Sequence, residues 1–402
     1  KKIFLTFTWL ALTLVIAGFL ELAVNTFSAD PAVAFSGLLY MVLAMVFGVL
    51  IYRKGVSLLI MTLVMVPVVI GAVFYGNYSP WVQQTFVLSP AAWRWILILY
   101  IFLASVLPVW LLLQPRDYLA SYLLYFSVFI GAVGMLFGGS KFQVSLPAFT
   151  GFTGPKGEPL WPLLFVVVAC GAISGFHALV GSGTTAKQLR RESDAIGVGY
   201  GAMLIEGLVA VIAIGTIMIA GTMLKGGPTA TYGAGLGKFA ALIGIPEKVG
   251  VSLGLLALNS FILTSLDTAT RLARYQLQEF TDMKLDRYTS TAIGVAVAGA
   301  LVFMKTGGKP AWQLIWPVFG AANQLVAALC LLAVGVWVIK GLKKSANFVM
   351  IPMAFMLVTT IAALFLLIKG NMSNLILSGI AAVLLVLALM LVKESWDAIK
   401  KA

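Results

Sequence analysis

The sequence predicts an all-α membrane protein built as a bundle of spanning helices. The chain has 402 residues, of which 61% are hydrophobic and only 10% are charged, whereas about 25% of the residues in soluble domains are charged. Apolar runs long enough to cross a bilayer recur along its whole length. Because backbone polar groups inside a bilayer must be satisfied within the protein, these long runs predict helices.

Hydropathy predicts about twelve transmembrane segments, each of roughly 17 residues or more with few charges. We number them from the N-terminus, and they occupy residues 3–26, 32–52, 56–76, 92–114, 118–138, 160–180, 197–223, 248–268, 288–304, 312–339, 346–368 and 374–392.

The positive charges predict how the chain is oriented in the membrane. The net charge is +13, and 18 of the 27 Lys and Arg residues lie at the N-terminus, in the even-to-odd connections or at the C-terminus. The positive-inside rule therefore places both ends of the chain in the cytoplasm. The excess charge also favours contact with anionic lipid. No nucleic-acid-binding motif is present, so nucleic acid is not an expected partner.

Polar residues are distributed unevenly along what we predict to be a single transmembrane domain, residues 1–402. Residues 1–138 are strongly apolar. Residues 139–161 are rich in Pro and Gly, which predicts an extended extracytoplasmic loop. Residues 160–340 carry the side chains suited to binding a solute, whereas 346–392 are featureless and predicted to be peripheral.

The sixth segment and the residues after it contain the first candidate site. Ser174 and His177 are three residues apart and share one helix face, and His177 is the single histidine of the chain. The motif GSGTT follows and offers the hydroxyls of Ser182, Thr184 and Thr185 on a permissive backbone, which would suit an anion. A helix end with a basic anchor is the structural alternative. We favour a functional site, since ionisable groups within membranes are usually functional.

Three further segments carry polar groups. Glu206 lies well inside the seventh segment and is a candidate proton carrier, with a structural partnership as the alternative. Asp267 and Arg271 in the eighth segment are four residues apart, a spacing that predicts a helical ion pair or gate. Asn323 and Gln324 are adjacent in the apolar tenth segment, where interhelical hydrogen bonding and solute binding are both open.

Four blocks in these segments together resemble the carbon starvation A (CstA) family of transporters. They are ACGAISGFHALVGSGTTAKQL, IGVGYGAMLIEG, LTSLDTATRLARYQLQE and FGAANQLVAAL. The resemblance covers most of the chain and is strongest over about 145–340. It implies a bacterial inner-membrane secondary transporter, related to the amino acid–polyamine–organocation superfamily with its LeuT-like fold. It also implies import of pyruvate, with protons, or of peptides during carbon starvation. Family members usually have several additional N-terminal helices, which this sequence is expected to lack.

Together these features predict proton-coupled import of a small carboxylate, with pyruvate first and di- or tripeptides as the alternative. Ser174, His177 and the GSGTT turn would hold the carboxylate, Asn323 and Gln324 would line the cavity, and Glu206 would carry the proton. An intramembrane enzyme is not predicted, because Ser174 and His177 have no orienting acid nearby in sequence. A sensor or partner subunit stays an alternative. We expect no cofactor, and the sequence assigns neither a metal nor an oligomeric state.

Overall fold

The computed structural model describes residues 2–154, 157–306, 309–372 and 374–400, so Lys1, Lys401 and Ala402 at the predicted cytoplasmic ends lie outside the described residues. The described chain is almost entirely helical. Its helices are α1 (Lys2–Ala29), α2 (Pro31–Tyr52), α3 (Leu58–Tyr78), α4 (Pro80–Thr85), α5 (Pro90–Val106), α6 (Leu113–Phe137), α7 (Leu160–Ala172), α8 (Gly175–Gly183), α9 (Ala202–Ala220), α10 (Gly227–Ala241), α11 (Glu247–Phe280), α12 (Arg287–Phe303), α13 (Ala311–Lys340), α14 (Asn347–Gly370) and α15 (Leu375–Lys400). Two short strands, Lys305–Thr306 and Lys309–Pro310, pair in antiparallel register.

Eight helices within the described residues are long and apolar enough to cross a membrane, which confirms the predicted polytopic helical class. Three further apolar helices are shorter. The figure of about twelve crossings and the LeuT-like relation stay predictions. The eight long helices are Lys2–Ala29, Pro31–Tyr52, Leu58–Tyr78, Leu113–Phe137, Ile196–Ala220, Glu247–Phe280, Val318–Lys340 and Asn347–Gly370.

Helix α10 was not predicted, because its sequence GPTATYGAGLGKFAA has too many glycines to register as a spanning segment. The glycines let the helix lie directly against α11. A Cβ at Gly237 would meet the Val251 side chain and the Glu247 carbonyl oxygen. Low hydropathy therefore concealed a buried helix that packs through its backbone rather than through large side chains.

The chain divides into two compact units, which are described separately. Unit 1 comprises Lys1–Gly18, Phe149–Met203 and Ala269–Ala402, and unit 2 comprises Phe19–Ala148 and Leu204–Thr268.

The core of unit 2 includes a cluster from α6, α9 and α10 made of Ile130, Ile212, Tyr232, Leu236, Phe239 and Ala240. The hydroxyl of Tyr232 satisfies its hydrogen-bonding need by contact with Ser127 Oγ at 2.6 Å.

An ion pair joins α1 to α5 in the same unit. Both oxygens of Glu21 accept from Arg94, one of them from Nε at 2.9 Å, and the Glu21 side chain is only 3% exposed.

In unit 1 the predicted continuous segment 160–180 is corrected to two helices. Helix α7 ends at Ala172 and α8 begins at Gly175, and both pack against α13. Before this pair, residues 149–154 and 157–159 form turns and a single bridge between Thr153 and Pro159 rather than a helix. After it, Thr185–Lys187 form one 3₁₀ turn and Ile196–Gly201 one π-helical turn.

Asp30 generates a prediction about folding in unit 2. Its Oδ1 accepts from the backbone N–H groups of Ala32 at 2.8 Å and Val33 at 3.2 Å, capping α2, while Oδ2 accepts from Ser252 Oγ at 2.6 Å. Replacing Asp30 with Ala should destabilise the protein by about 1–2 kcal/mol, the usual value of an N-cap. Asp30→Asn keeps an acceptor at the cap and should lose much less. Thermal unfolding in detergent measures both variants, and equal melting temperatures for Asp30→Ala and the parent protein would contradict this account.

Candidate functional site

The centre of the candidate site is the break between α7 and α8 in unit 1. Ser174 has extended backbone angles (φ −103°, ψ 124°), which end one helix and start the next. Its Oγ accepts from the backbone N–H of His177 at 3.3 Å and so caps α8. Serine suits this position because a helix N-terminus leaves N–H groups without partners.

Asn323 of α13 supplies the second partner of this helix N-terminus. Its Oδ1 accepts from the backbone N–H of Phe176 at 2.6 Å, and its Nδ2 donates to Ser174 Oγ at 3.2 Å. The Asn323 side chain is buried. The structure therefore brings together Ser174 and Asn323, two predicted site residues that are far apart in sequence.

This arrangement is suited to holding a carboxylate. The N-terminus of α8 presents backbone donors and the positive end of the helix dipole, which together attract anions. The neutral carbonyl oxygen of Asn323 already occupies one of these donors. A cavity of only about 10 Å³ adjoins Phe176 and Asn323, walled by Leu12 and Val15 of α1, which is room for about one water. In this conformation Asn323 fills the place that a ligand oxygen would take.

Gln324, the neighbour of Asn323, contacts the other half of the broken helix. Its Nε2 lies 3.5 Å from the carbonyl oxygen of Val166 in α7, and the side chain is fully buried. Its Oε1 has no hydrogen-bond partner among the described residues. A buried acceptor without a donor is costly, so this carboxamide is equipped to accept one more hydrogen bond.

The expected anion-binding turn at GSGTT is corrected. Gly181–Gly183 belong to the last turn of α8, and a helix C-terminus presents carbonyl oxygens rather than amides. The hydroxyl of Ser182 donates to the Leu179 carbonyl at 3.3 Å, and that of Thr184 to the Val180 carbonyl at 2.7 Å. Thr185 begins the following 3₁₀ turn. The donors suited to an anion lie at the opposite end of the same helix.

His177 and Glu206 are both exposed in the described chain. His177 contributes its backbone N–H to the cap, and its ring lies 6.1 Å from that of Phe176. Glu206 lies on α9 among exposed residues, and its role as a proton carrier stays a prediction. An apolar sequence around a carboxylate predicts a span but not which side of the helix is covered.

The predicted pair of Asp267 with Arg271 is also corrected. Asp267 Oδ2 instead binds the guanidinium of Arg116, which comes from α6 in unit 2, and also accepts from Tyr100 Oη at 2.6 Å. Helical spacing favours a partner four residues away, but α6 brings an arginine directly to this carboxylate. Neither Arg116 nor Tyr100 was predicted. The available signal was an arginine just before the fifth apolar segment, which we counted only among the positive charges of an even-to-odd connection.

A second cavity of unit 1, of about 200 Å³, lies between α8 and α11. Its polar lining contains both a cation, Lys187, and a carboxylate, Glu279, together with Ser182 and Gln276. Lys187 Nζ is 6.0 Å from the ring centre of Tyr275. No cluster of His, Cys, Asp and Glu suited to a metal is found among the described residues.

Comparison with known proteins decides the family. The family model described as carbon starvation protein CstA matches residues 1–225 and 216–363. The chain belongs to the CstA family. The broken helix, Asn323 and the Arg116–Asp267 pair all lie within the matched residues.

Curated relatives carry two different names. The chain is 30% identical to the peptide transporter CstA of Bacillus subtilis (strain 168), over 87% of this chain and 66% of that protein. It is 31% identical to the peptide transporter CstA of Escherichia coli (strain K12), over 67% of this chain and 48% of the relative. It is 29% identical to the pyruvate/proton symporter BtsT of the same strain, over 73% and 54%. The chain thus spans about half to two thirds of the length of these relatives. No solved structure matches.

Gly175 offers a test of the close contact at the helix break. A Cβ there would meet the carbonyl oxygen of Asn323 and the amide nitrogen of Ala327, whereas a Cβ at Gly181 of the same helix meets nothing within 4 Å. Gly175→Ala should therefore force α8 away from α13 and cost about 1–3 kcal/mol, as overpacking does. The matched variant Gly181→Ala should be neutral or slightly stabilising, because alanine favours helices. Thermal unfolding of the two proteins compares them, and equal stability would refute the contact.

Proposed function

We propose that this protein acts in a secondary transporter that imports a small carboxylate, pyruvate foremost, together with protons. The observation that carries the proposal is the break between α7 and α8, where the Phe176 amide is held by Asn323 and the His177 amide by Ser174. Transporters bind anionic substrate groups at the N-termini of such discontinuous helices. The relative named pyruvate/proton symporter BtsT supports both substrate and coupling ion.

Substrate binding would replace one intramolecular contact by another. The carboxylate takes the Phe176 amide from Asn323 Oδ1, and Asn323 then donates from Nδ2 to the substrate. Ser174 holds α8 in place, and Gln324 supplies a further polar contact. A small substrate suits this scheme best, since the adjoining cavity has room for only about one water and must expand. We propose that the transporter lies in the bacterial inner membrane with both chain ends in the cytoplasm, as the distribution of Lys and Arg predicts. Glu206 and Asp267 are rival candidates for the proton carrier, and Arg271 stays a candidate gate residue.

Uptake of labelled pyruvate into proteoliposomes tests this function, with and without an inward proton gradient. Accumulation should require the gradient. Asn323→Asp keeps an acceptor for the Phe176 amide but adds a negative charge where the carboxylate docks, so pyruvate affinity should fall at least tenfold, or about 1.4 kcal/mol. Unlabelled pyruvate should compete with the label, whereas its uncharged amide should not. Equal affinity of Asn323→Asp and the parent protein would refute binding at this helix end.

Peptide import is the second candidate, and the α8–α11 cavity favours it. A peptide presents an ammonium and a carboxylate, and this cavity is lined by both Glu279 and Lys187. Curated relatives named peptide transporter CstA support the same substrate class.

Competition separates the two substrates. If pyruvate is the substrate, dialanine should leave labelled pyruvate uptake unchanged, and so should Lys187→Gln and Glu279→Gln. If peptides are also transported, dialanine should inhibit the uptake of labelled pyruvate. Lys187→Gln and Glu279→Gln should each weaken that inhibition. Inhibition by dialanine that neither variant alters would remove the α8–α11 cavity from peptide recognition.

A further inference from the structure

Unit 2 contains a fully buried ion pair that the carboxylate site does not use. Arg116 of α6 and Asp267 of α11 both have side chains that are 0% exposed. Arg116 Nη1 donates to Asp267 Oδ2 and to Tyr100 Oη, and Tyr100 in turn donates to the same carboxylate oxygen at 2.6 Å. Burying two charges is costly even when they are paired, so such a pair is weak evidence for stability. Both residues lie in helices that are candidate membrane spans, and ionisable groups in such helices point to a role in transport.

Arg116 has a second set of partners that does not involve Asp267. Its Nη2 donates to Thr264 Oγ1 at 3.2 Å and to Asp117 Oδ1 at 3.3 Å, and Thr264 donates to the same Asp117 oxygen at 2.9 Å. The Asp117 side chain is 42% exposed. The backbone carbonyl of Arg116 accepts from Tyr40 Oη. The guanidinium therefore keeps a carboxylate partner if Asp267 becomes neutral.

Asp267 has one oxygen prepared for a proton. Its Oδ1 is buried without a hydrogen-bond partner among the described residues, and Asn259, eight residues earlier on α11, has a buried carboxamide without one as well. Glu21 is the contrasting case, because Arg94 engages both of its oxygens. Protonation of Asp267 depends on the charged and titratable groups around it and around its partner. These are Arg116 and Asp117 from α6, Tyr100 from α5 and Tyr40 from α2.

We propose that Asp267 is the carboxylate that takes up and releases the coupled proton. This proposal rests on the proposed proton-driven transport and reassigns the coupling step from Glu206. A proton from bulk water forms an O–H bond at Oδ1, and the neutral acid loses its ionic attraction to Arg116. Arg116 stays with Asp117 and Thr264, so the link between α6 and α11 weakens without leaving a charge alone. Release of the proton to water on the other side restores the pair.

A neutralised pair distinguishes a proton carrier from a structural ion pair. Asp267→Asn alone changes the net charge of the buried pair, so the informative protein is the double variant Arg116→Gln/Asp267→Asn, which removes both charges together. It should still exchange labelled for unlabelled pyruvate across the liposome membrane, but should lose at least tenfold in accumulation driven by a proton gradient. The matched control Glu21→Gln/Arg94→Gln removes a different ion pair of unit 2 and should keep both activities. Glu206→Gln should keep both as well.

Gradient-driven accumulation by the Arg116→Gln/Asp267→Asn protein would overturn the proposal, and so would loss of exchange in that protein when it is folded and monodisperse. Loss of accumulation in Glu206→Gln alone would return the role to Glu206. If the double variant does not fold, Asp267→Glu replaces it: a proton carrier should shift the pH of half-maximal uptake, whereas a structural pair should not.

If the parent protein transports no pyruvate, the proposed function is rejected. Protonation of Asp267 can then still be tested by a measurement that does not need transport. Infrared difference spectra between neutral and acidic pH report the carbonyl band of a newly protonated carboxylic acid. Other carboxylates of the chain contribute to this band as well, so the informative signal is a component that the parent protein shows and the Arg116→Gln/Asp267→Asn protein lacks. If that variant does not fold, the band should instead change frequency in Asp267→Glu. A band unchanged by whichever substitution folds would overturn the assignment of the proton to Asp267.

Discussion

Inside a bilayer each backbone N–H and C=O must find a partner within the protein, and this constraint governs the candidate site. The break after α7 exposes amides at the start of α8, within the segment 160–180 that the sequence predicts to span the membrane. Ser174 satisfies one of them and Asn323 another. A side chain that satisfies an amide can also release it to a substrate oxygen, and for this reason we propose the break as the binding site. The tight contact of Gly175 with α13 keeps Asn323 within reach.

Buried charges in unit 2 need partners in the same way. Glu21 and Arg94 form a pair in which both carboxylate oxygens are engaged, and nothing in that geometry calls for a proton. Asp267 differs because one oxygen is left without a donor and its arginine has a second carboxylate nearby. We propose that protonation of Asp267 weakens the contact between α6 and α11 and that deprotonation restores it. We therefore propose separate tasks for the two places, carboxylate binding at the break in unit 1 and proton binding at the ion pair in unit 2.

Hydropathy was sufficient to predict the helical membrane class and the approximate location of the long helices, because a span of apolar residues is a local property. Hydropathy did not predict α10, because this glycine-rich helix packs against α11 through its backbone rather than through large apolar side chains. Four-residue spacing suggested Arg271 as the partner of Asp267, but Arg116 is 151 residues away in sequence. Ser174 and Asn323 were both selected from sequence, yet their direct contact could not be, since no local pattern links them. The exposure of His177 and Glu206 likewise depends on which helices lie beside them.

We propose that the substrate carboxylate binds the Phe176 amide at the start of α8. Hydrogen–deuterium exchange over residues 174–178, measured with and without pyruvate, tests it most directly. Bound pyruvate should slow exchange of the Phe176 and His177 amides, while amides in α14 of the same unit should not change. Unchanged exchange over 174–178 at pyruvate concentrations that saturate uptake would contradict the account.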